Sequence, residues 1–367
     1  MMLLLVSLLA VTASSEPSAQ PLVSPEVHAD HTVTFRFADA NAKKVQIGIE
    51  GLDAAPMTKG AGGVWTYTSG ALMPDIYGYA ISADGQTRLD PNNPLTKPNL
   101  IWPSNMFLVP GAPPEAWEVQ NVPHGAVHHH LYHSQVIGDD RDYYVYTPPG
   151  YESTRAKLPV LYLLHGYSDM ANGWTAVGKA NVILDNLMAA GQVKPMVVVM
   201  TLGYGVPDFA KPGGRAFGDR SLTKRNYDGY RDALFQEVMP AIAKGYRVSS
   251  DRNSTAIAGL SMGGAESLYV GLNHLEKFAW IGAFSSGGLG ENFDEVFPGV
   301  GGAPTNRKLK KLFVSCGTSD GLITFNRHLV AWLNQKKINN TAVESSGRHA
   351  WMVWRRNLIA FTGLLFK

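Results

Sequence analysis

The run Gly259-Leu260-Ser261-Met262-Gly263 sets a hydroxyl between two glycines. It joins an apolar strand-like stretch, Thr255-Ala-Ile-Ala258, to a helical pattern that continues to about Asn273. Gly-x-Ser-x-Gly in that setting is a nucleophile elbow. The turn is so sharp that side chains at 259 and 263 would collide, hence glycine at both. It forces Ser261 into a strained backbone region with its Oγ exposed above the sheet. The helix behind directs its N-terminal dipole toward developing negative charge. Alone the five-residue pattern is weak, and a glycine-rich strand–helix turn would also produce it. The flanking strand and helix give it meaning.

Serine at neutral pH is a poor nucleophile and needs an adjacent base. Behind such an elbow the partners follow in chain order Ser, Asp or Glu, then His. Of eleven histidines, only His274, His328 and His349 come after Ser261. His274 falls at the far end of the elbow helix and His328 inside another helix, so both should point away from the strand tips. His349 lies in a loop after the expected strand Thr341–Glu344, where the base belongs. Asp320, just past the strand Lys311–Ser315, can accept the Nδ1–H of His349 and fix its tautomer. The same residue would also suit as a cap for the helix beginning near Leu322. Asp294 and Glu295 compete, although no clear strand delivers them.

Acyl transfer through such a set makes an oxyanion that two backbone N–H groups should hold. Met262, directly after the nucleophile, supplies one. Tyr167, after the strand ending Leu163-Leu-His165-Gly166, supplies the other. His165 is expected to be a structural hydrogen-bonder. Gly166, Trp174 and Trp351, with the Tyr167 ring, are candidates to contact the acyl group, and aromatics at these places would equally serve as packing.

These residues need a particular scaffold. After about Ala116, apolar runs such as Pro159–Leu164 and Met196–Met200 alternate with helical spacing, as in Leu322, Phe325, Leu329 and Trp332. That grammar is an α/β domain with a mainly parallel sheet covered on both faces. From about Val27 to Val109 the pattern is different. Short alternating segments (Thr32–Phe37, Lys44–Ile49, Val64–Thr68 and Ile76–Ile81) predict a small β-sandwich. Val109-Pro-Gly-Ala-Pro-Pro114 reads as the hinge. The expected division is residues 25–112 for the sandwich and 116–367 for the α/β domain.

The chain has 367 residues, 32 basic and 30 acidic, a formal charge of +2, which leaves no electrostatic footprint for nucleic acid. Its single cysteine, Cys316, excludes an internal disulfide and a multi-cysteine zinc site, and it reads as a buried structural thiol. His128-His-His130 with His133 suggests metal, but on a strand adjacent histidines face opposite ways and no acidic ligand lies among them. No metal and no cofactor are expected. The apolar run Met2–Ala13 is too short to span a bilayer and suits a signal-peptide core, although no Lys or Arg precedes it. Residues 1–20 are accordingly expected to be signal and leader, and the protein secreted or periplasmic, with no membrane span.

From about Val127 onward the chain resembles carbohydrate esterase family one, the feruloyl and acetylxylan esterases, related to the esterase D and mycolyltransferase group. The likeness rests on Tyr144-Val-Tyr-Thr-Pro-Pro-Gly-Tyr151, Leu161-Tyr-Leu-Leu-His-Gly166, Trp174, Ala256-Ile-Ala-Gly-Leu-Ser-Met-Gly-Gly264 and Gly347-Arg-His-Ala-Trp-Met-Val-Trp354. It implies an α/β-hydrolase fold, with Ser261, Asp320 and His349 as the triad. Arg348 departs from the pattern, since relatives often carry a second glycine before the histidine. The N-terminal part resembles carbohydrate-binding module family forty-eight, an immunoglobulin-like sandwich, through Pro56-Met-Thr-Lys59, Gly63-Val-Trp65, Pro74-Asp-Ile-Tyr77 and Asp90-Pro-Asn-Asn93. Trp65 and Tyr77 there are core residues or a sugar platform. Together the resemblances imply a serine esterase releasing ferulate from arabinoxylan-type plant polysaccharide, with feruloylated or acetylated plant polysaccharide or oligosaccharide as its binding partner. Alternatives are an acetylxylan esterase, an enterochelin-type siderophore esterase, or a non-catalytic carbohydrate-binding protein.

Overall fold

The computed structural model of the protein describes residues 22–207, 209–211, 213 and 219–367, so the expected signal and leader, residues 1–20, lie outside the described residues. Between Glu26 and Val109 the strands form two antiparallel sheets. Glu26–Val27, Val33–Ala38, Val64–Thr68 and Thr58–Lys59 make one. In the other, Ala55–Pro56, Val45–Ile49, Asp75–Ala83, Ser104–Val109 and Thr96–Lys97 lie in that order, and Gln86–Arg88 pairs with Asp75–Ala83. Val45, Ile47 and Ile49 are buried while Gln46 and Gly48 are only partly so, the period of two that a one-sided sheet requires. The inner faces share one core, built on Val33, Phe35, Ile47, Tyr79, Ile81 and Phe107. Trp65 and Tyr77 are both buried in it, which makes them core residues and not a sugar platform.

The rest of the chain builds one eight-stranded sheet. Its strands are β1 (Ala126–Ser134), β2 (Asp139–Thr147), β3 (Val160–Leu164), β4 (Val197–Thr201), β5 (Thr255–Leu260), β6 (Trp280–Phe284), β7 (Lys311–Gly317) and β8 (Thr341–Ser345). They lie in the order β1-β2-β4-β3-β5-β6-β7-β8, with β2 antiparallel to both neighbours and β3 to β8 parallel. The expected strands fall within a residue or two of those observed.

Alternation along the buried strands sends side chains to two opposite cores. Val160, Tyr162 and Leu164 pack on the side of α2 (Arg220–Ala233), α3 (Met262–Asn273) and α4 (Ile323–Gln335). Leu161 and Leu163 pack on the side of α1 (Ala180–Ala189) and α5 (Trp351–Thr362). The N-terminal sheets dock on this second side, where Ile76 and Met106 join its core. The histidine-rich segment is the edge strand β1. His129 and His130 stack on Tyr144 and Tyr143 of β2, at ring-centroid distances of 4.2 and 4.8 Å.

One buried ion pair pins the two halves. Arg355 of α5, 0% exposed, donates through Nη2 and Nε to Asp75 Oδ1 at 2.6 and 3.1 Å. It also donates to the carbonyls of Ile76, at 2.5 Å, and Val177, at 3.0 Å. Arg356 meets the other Asp75 oxygen at 2.7 Å. Such a pair is costly to desolvate and much costlier to leave half-made. Asp75→Ala should therefore lower unfolding free energy by about 3–5 kcal/mol, measured by urea titration. A loss within error of zero would mean that Arg355 finds water or another acceptor.

Candidate active site

Ser261 sits between β5 and α3 with φ 53° and ψ −117°, a positive φ that costs a non-glycine residue energy. Its neighbours explain how the strain is held. Any Cβ added to Gly259 would sit 2.5 Å from the carbonyl carbon and oxygen of Gly263, and one on Gly263 would overlap the carbonyl of His165. Only glycines let the strand and helix backbones come so close. The Ser261 N–H donates to Phe284 O at 2.7 Å, tying the elbow to β6.

His349 lies two residues before α5, in the loop after β8, and its Nε2 is 3.0 Å from Ser261 Oγ. Its Nδ1 is 2.8 Å from Asp320 Oδ2. A carboxylate only accepts, so Nδ1 carries the proton and Nε2 offers its lone pair to the serine hydroxyl. The Asp320 side chain is fully buried, whereas that of His349 is 35% exposed. Burial works against charge on Asp320. The hydrogen bond and charge of His349 and the N–H of Leu322 outweigh it and hold the carboxyl below its ordinary value. Asp320 does both jobs foreseen for it, because Oδ1 accepts the Leu322 N–H at 2.8 Å while Oδ2 orients the imidazole.

The competing residues point elsewhere. Asp294 binds Trp332 Nε1 at 3.0 Å and Lys336 Nζ at 2.6 Å. His274 pairs with Glu276, and His328 is exposed on α4. Cys316 is buried, and burial first, with the Asp320 charge second, pushes its thiol up to about 12.

The loop after β3 is held from several sides. His165 is buried. The Gly203 N–H donates to its Nε2 at 2.9 Å, so Nδ1–H donates to Gly166 O at 2.7 Å. Burial lowers this imidazole to about 4, keeping it neutral, as a structural hydrogen-bonder should be. Gly166 backs directly onto Ser261: a Cβ there would lie 3.4 Å from Ser261 Cβ and 2.6 Å from Leu260 Cδ1. Tyr167 follows it, and Met262 opens α3, where the first N–H groups of a helix have no acceptor within it. The two expected oxyanion donors thus belong to the two segments that flank Ser261.

Two expected substrate contacts need correction. Trp174 and Trp351 are 0% and 2% exposed, packed edge to face at 5.2 Å beneath the site, and Trp174 Nε1 donates to Leu164 O. Neither reaches a surface that a substrate touches. They lie near the site along the chain, but their side chains point into the core.

What the sequence reading missed comes from the N-terminal half. A cleft of about 890 Å³ opens beside His349, lined by Ser319 and Arg348 on one side and by Leu52, Lys97 and Trp102 on the other. Trp102 is 64% exposed, with its ring centroid 6.4 Å from that of Tyr167. Asn99 presents it, its Oδ1 accepting the N–H groups of Ile101 and Trp102. The same Asn99 donates from Nδ2 to Asp169 Oδ1 at 3.1 Å, and Leu100 N–H donates to the carbonyl of Ser168, a residue at φ 68°. The only sequence cue is the turn signal of Asn99 and Pro103.

The model of the Esterase family matches residues 134–365. The chain belongs to that family. It is a serine esterase of the α/β-hydrolase fold. A relative from Xylanibacter ruminicola, named endo-1,4-beta-xylanase/feruloyl esterase, is 29% identical over 94% of this chain and 46% of its own. The chain therefore spans about half the length of that relative. An acetyl esterase from Caldicellulosiruptor saccharolyticus is 23% identical over 54% of this chain and 80% of its own. Among solved structures, a ferulic acid esterase of carbohydrate esterase family one from Anaeromyces mucronatus is 25% identical, with a TM-score of 0.56 over 68% of this chain and 93% of that one. An enterobactin esterase from Shigella flexneri, 19% identical, matches in fold with a TM-score of 0.68 over 90% and 92%. Among the described residues of this esterase, no helix is long and apolar enough to cross a membrane.

Asp169, buried in the loop after β3, is the group through which stability should depend on mildly acidic pH. Burial raises its carboxyl from 3.8 to about 6, although Lys97 and the Gly166 N–H pull the other way. A raised acid binds more protons folded than unfolded, so folding stability falls as pH climbs from about 4 to 6. Asp169→Asn, which cannot ionise, should lose less stability than the parent across that window. Thermal melts at pH 4 and pH 7 would show the difference, and parallel shifts in both proteins would exclude it.

Proposed function

We propose that this esterase releases ferulate, or a related hydroxycinnamate, from arabinoxylan-type plant polysaccharide through an acyl-enzyme, with Ser261, His349 and Asp320 as its triad. His349 Nε2 takes the proton of Ser261 Oγ as the oxygen attacks the ester carbonyl. The N–H groups of Tyr167 and Met262 receive the oxyanion, and Asp320 stabilises the imidazolium. His349 then returns the proton to the leaving sugar oxygen. Water enters against the same base and frees the acid. One observation carries the substrate: the feruloyl esterase relative aligns over 94% of this chain, N-terminal sheets included.

The leaving oxygen must come within hydrogen-bonding reach of His349 Nε2. The cleft lined by His349 and the N-terminal half is therefore where the alcohol portion, the glycan, would lie. The exposed Trp102 offers a flat apolar face of the kind that stacks on sugar rings. In this reading residues 25–112 are a carbohydrate-binding-module-like sandwich, residues 116–367 the esterase domain, and the protein works outside the cytoplasm, secreted or periplasmic.

Methyl ferulate and feruloylated arabinoxylan oligosaccharide, compared with acetylated xylan and enterochelin, test the substrate. Ferulate release should dominate. No ferulate at micromolar enzyme, with turnover of acetylxylan or the siderophore, would overturn the proposal, as would glycan binding without any turnover. Ser261→Ala should reduce kcat by at least about 10⁴-fold in the same assay while leaving the thermal melt close to the parent's. Residual activity near the parent level would remove Ser261 from the mechanism.

A further inference from the structure

The base His349 stands at the threshold of α5, and that helix starts without a cap of its own. Its N-cap is Ala350, whose side chain accepts nothing. Alanine is among the poorest residues there, because the first N–H groups of a helix need an outside acceptor. The acceptor comes instead from 301 residues away: Glu50, just past the N-terminal strand Val45–Ile49, takes the Trp351 N–H on Oε1 at 2.8 Å.

Glu50 is itself fastened. Its Oε2 accepts the Gly78 N–H at 3.0 Å and meets Lys97 Nζ at 2.9 Å, with the two side chains only 13% and 18% exposed. The carboxylate lies at the positive end of the helix dipole, where negative charge is favoured. A second tie between this loop and the N-terminal half, Arg348 with Asp53 at 2.9 Å, is solvent-exposed and of the kind worth little. The start of α5 also sets the imidazole's wall. Trp354, one turn in, meets the His349 ring edge to face at 4.8 Å and anchors its Nε1 on Ser285 Oγ at 3.1 Å.

We propose that Glu50 is a positioning residue for catalysis: from the N-terminal half it caps α5 across the interface and thereby holds His349 within reach of Ser261. The N-terminal sheets are then part of the catalytic apparatus and not only an appended binding unit. This rests on His349 being the base, as argued above.

The test is steady-state kinetics on 4-nitrophenyl acetate with the full chain at 25 °C, each variant checked by thermal melt. Misplacing a catalytic group by about 1 Å can cost on the order of 10²-fold. Glu50→Ala should therefore lower kcat about ten- to a hundredfold with KM within about twofold of the parent. Glu50→Gln keeps one acceptor oxygen for the three donors Trp351 N–H, Gly78 N–H and Lys97 Nζ, and should recover only part of the loss. Arg356→Ala removes an ion pair elsewhere on α5 and should stay near parent activity. Should Glu50→Ala not fold, Glu50→Asp carries the test. It keeps a charge for Lys97 but falls one methylene short of Trp351, and should lose kcat in the same way.

Parent-like kcat in Glu50→Ala, or an equal fall in Arg356→Ala, would overturn the proposal, because the first denies any role and the second makes it general loosening of the interface. His349→Ala separates the two levels. If that variant turns over like the parent, the triad is wrong. If it is inactive while Glu50→Ala is normal, only the positioning role is wrong.

Discussion

The position of α5 is the constraint on which the site depends. This helix belongs to both halves of the molecule. Leu358 and Phe361 pack into the core under the parallel sheet, Arg355 is sunk into the N-terminal sheets through Asp75, and its first N–H is held by Glu50. His349 lies two residues before it. A helix free to slide or tilt by an ångström would carry the imbalance straight to the 3.0 Å contact between Nε2 and Ser261 Oγ. Three anchorages of different kinds (apolar packing, a buried ion pair and a cap) remove that freedom.

The same logic governs the opposite wall. The loop from His165 to Asp169 contains a residue at positive φ, Ser168, and a buried acid, neither of which a chain adopts unforced. It is kept in place by a neutral imidazole inside it, by Tyr204 OH on the Asp169 carbonyl at 2.8 Å, and by Asn99 and Leu100 from the N-terminal half. The strained elbow and the strained loop meet at Gly166, where loop backbone packs against Ser261. Preorganisation of this sort is what an oxyanion site needs, because dipoles already oriented do not have to turn during reaction.

The buried charges at the interface and at the site differ in what they hold. Arg355 and Asp75 tie the halves together: an arrangement that left the guanidinium buried and unpaired would carry a large desolvation penalty. Asp320 is buried with both oxygens committed, one to a helix start and one to the His349 imidazole. Cys316, by contrast, is a buried thiol that burial pushes up to about 12.

Much of this was legible in the linear sequence because the determinants are local or ordered. Gly259 and Gly263 flank the hydroxyl within five residues, the apolar runs of β3 to β7 announce strands covered on both faces, and only one histidine after Ser261 falls in a loop beyond a strand. Proximity along the chain does not give side-chain direction, however. Trp174 and Trp351 stand beside site residues in sequence, yet their rings pack against each other in the core. Glu50, Asn99 and Trp102 were out of reach for the converse reason, since nothing near them in sequence hints at a partner 70 to 300 residues away. By itself, then, the sequence determined the elbow, the order of the three polar residues and the strand–helix alternation, all set by local sterics and periodicity. Only the tertiary structure decided how the N-terminal sheets dock onto α5 and which side chains reach the cleft, because those depend on the mutual satisfaction of buried polar groups brought together from distant parts of the chain.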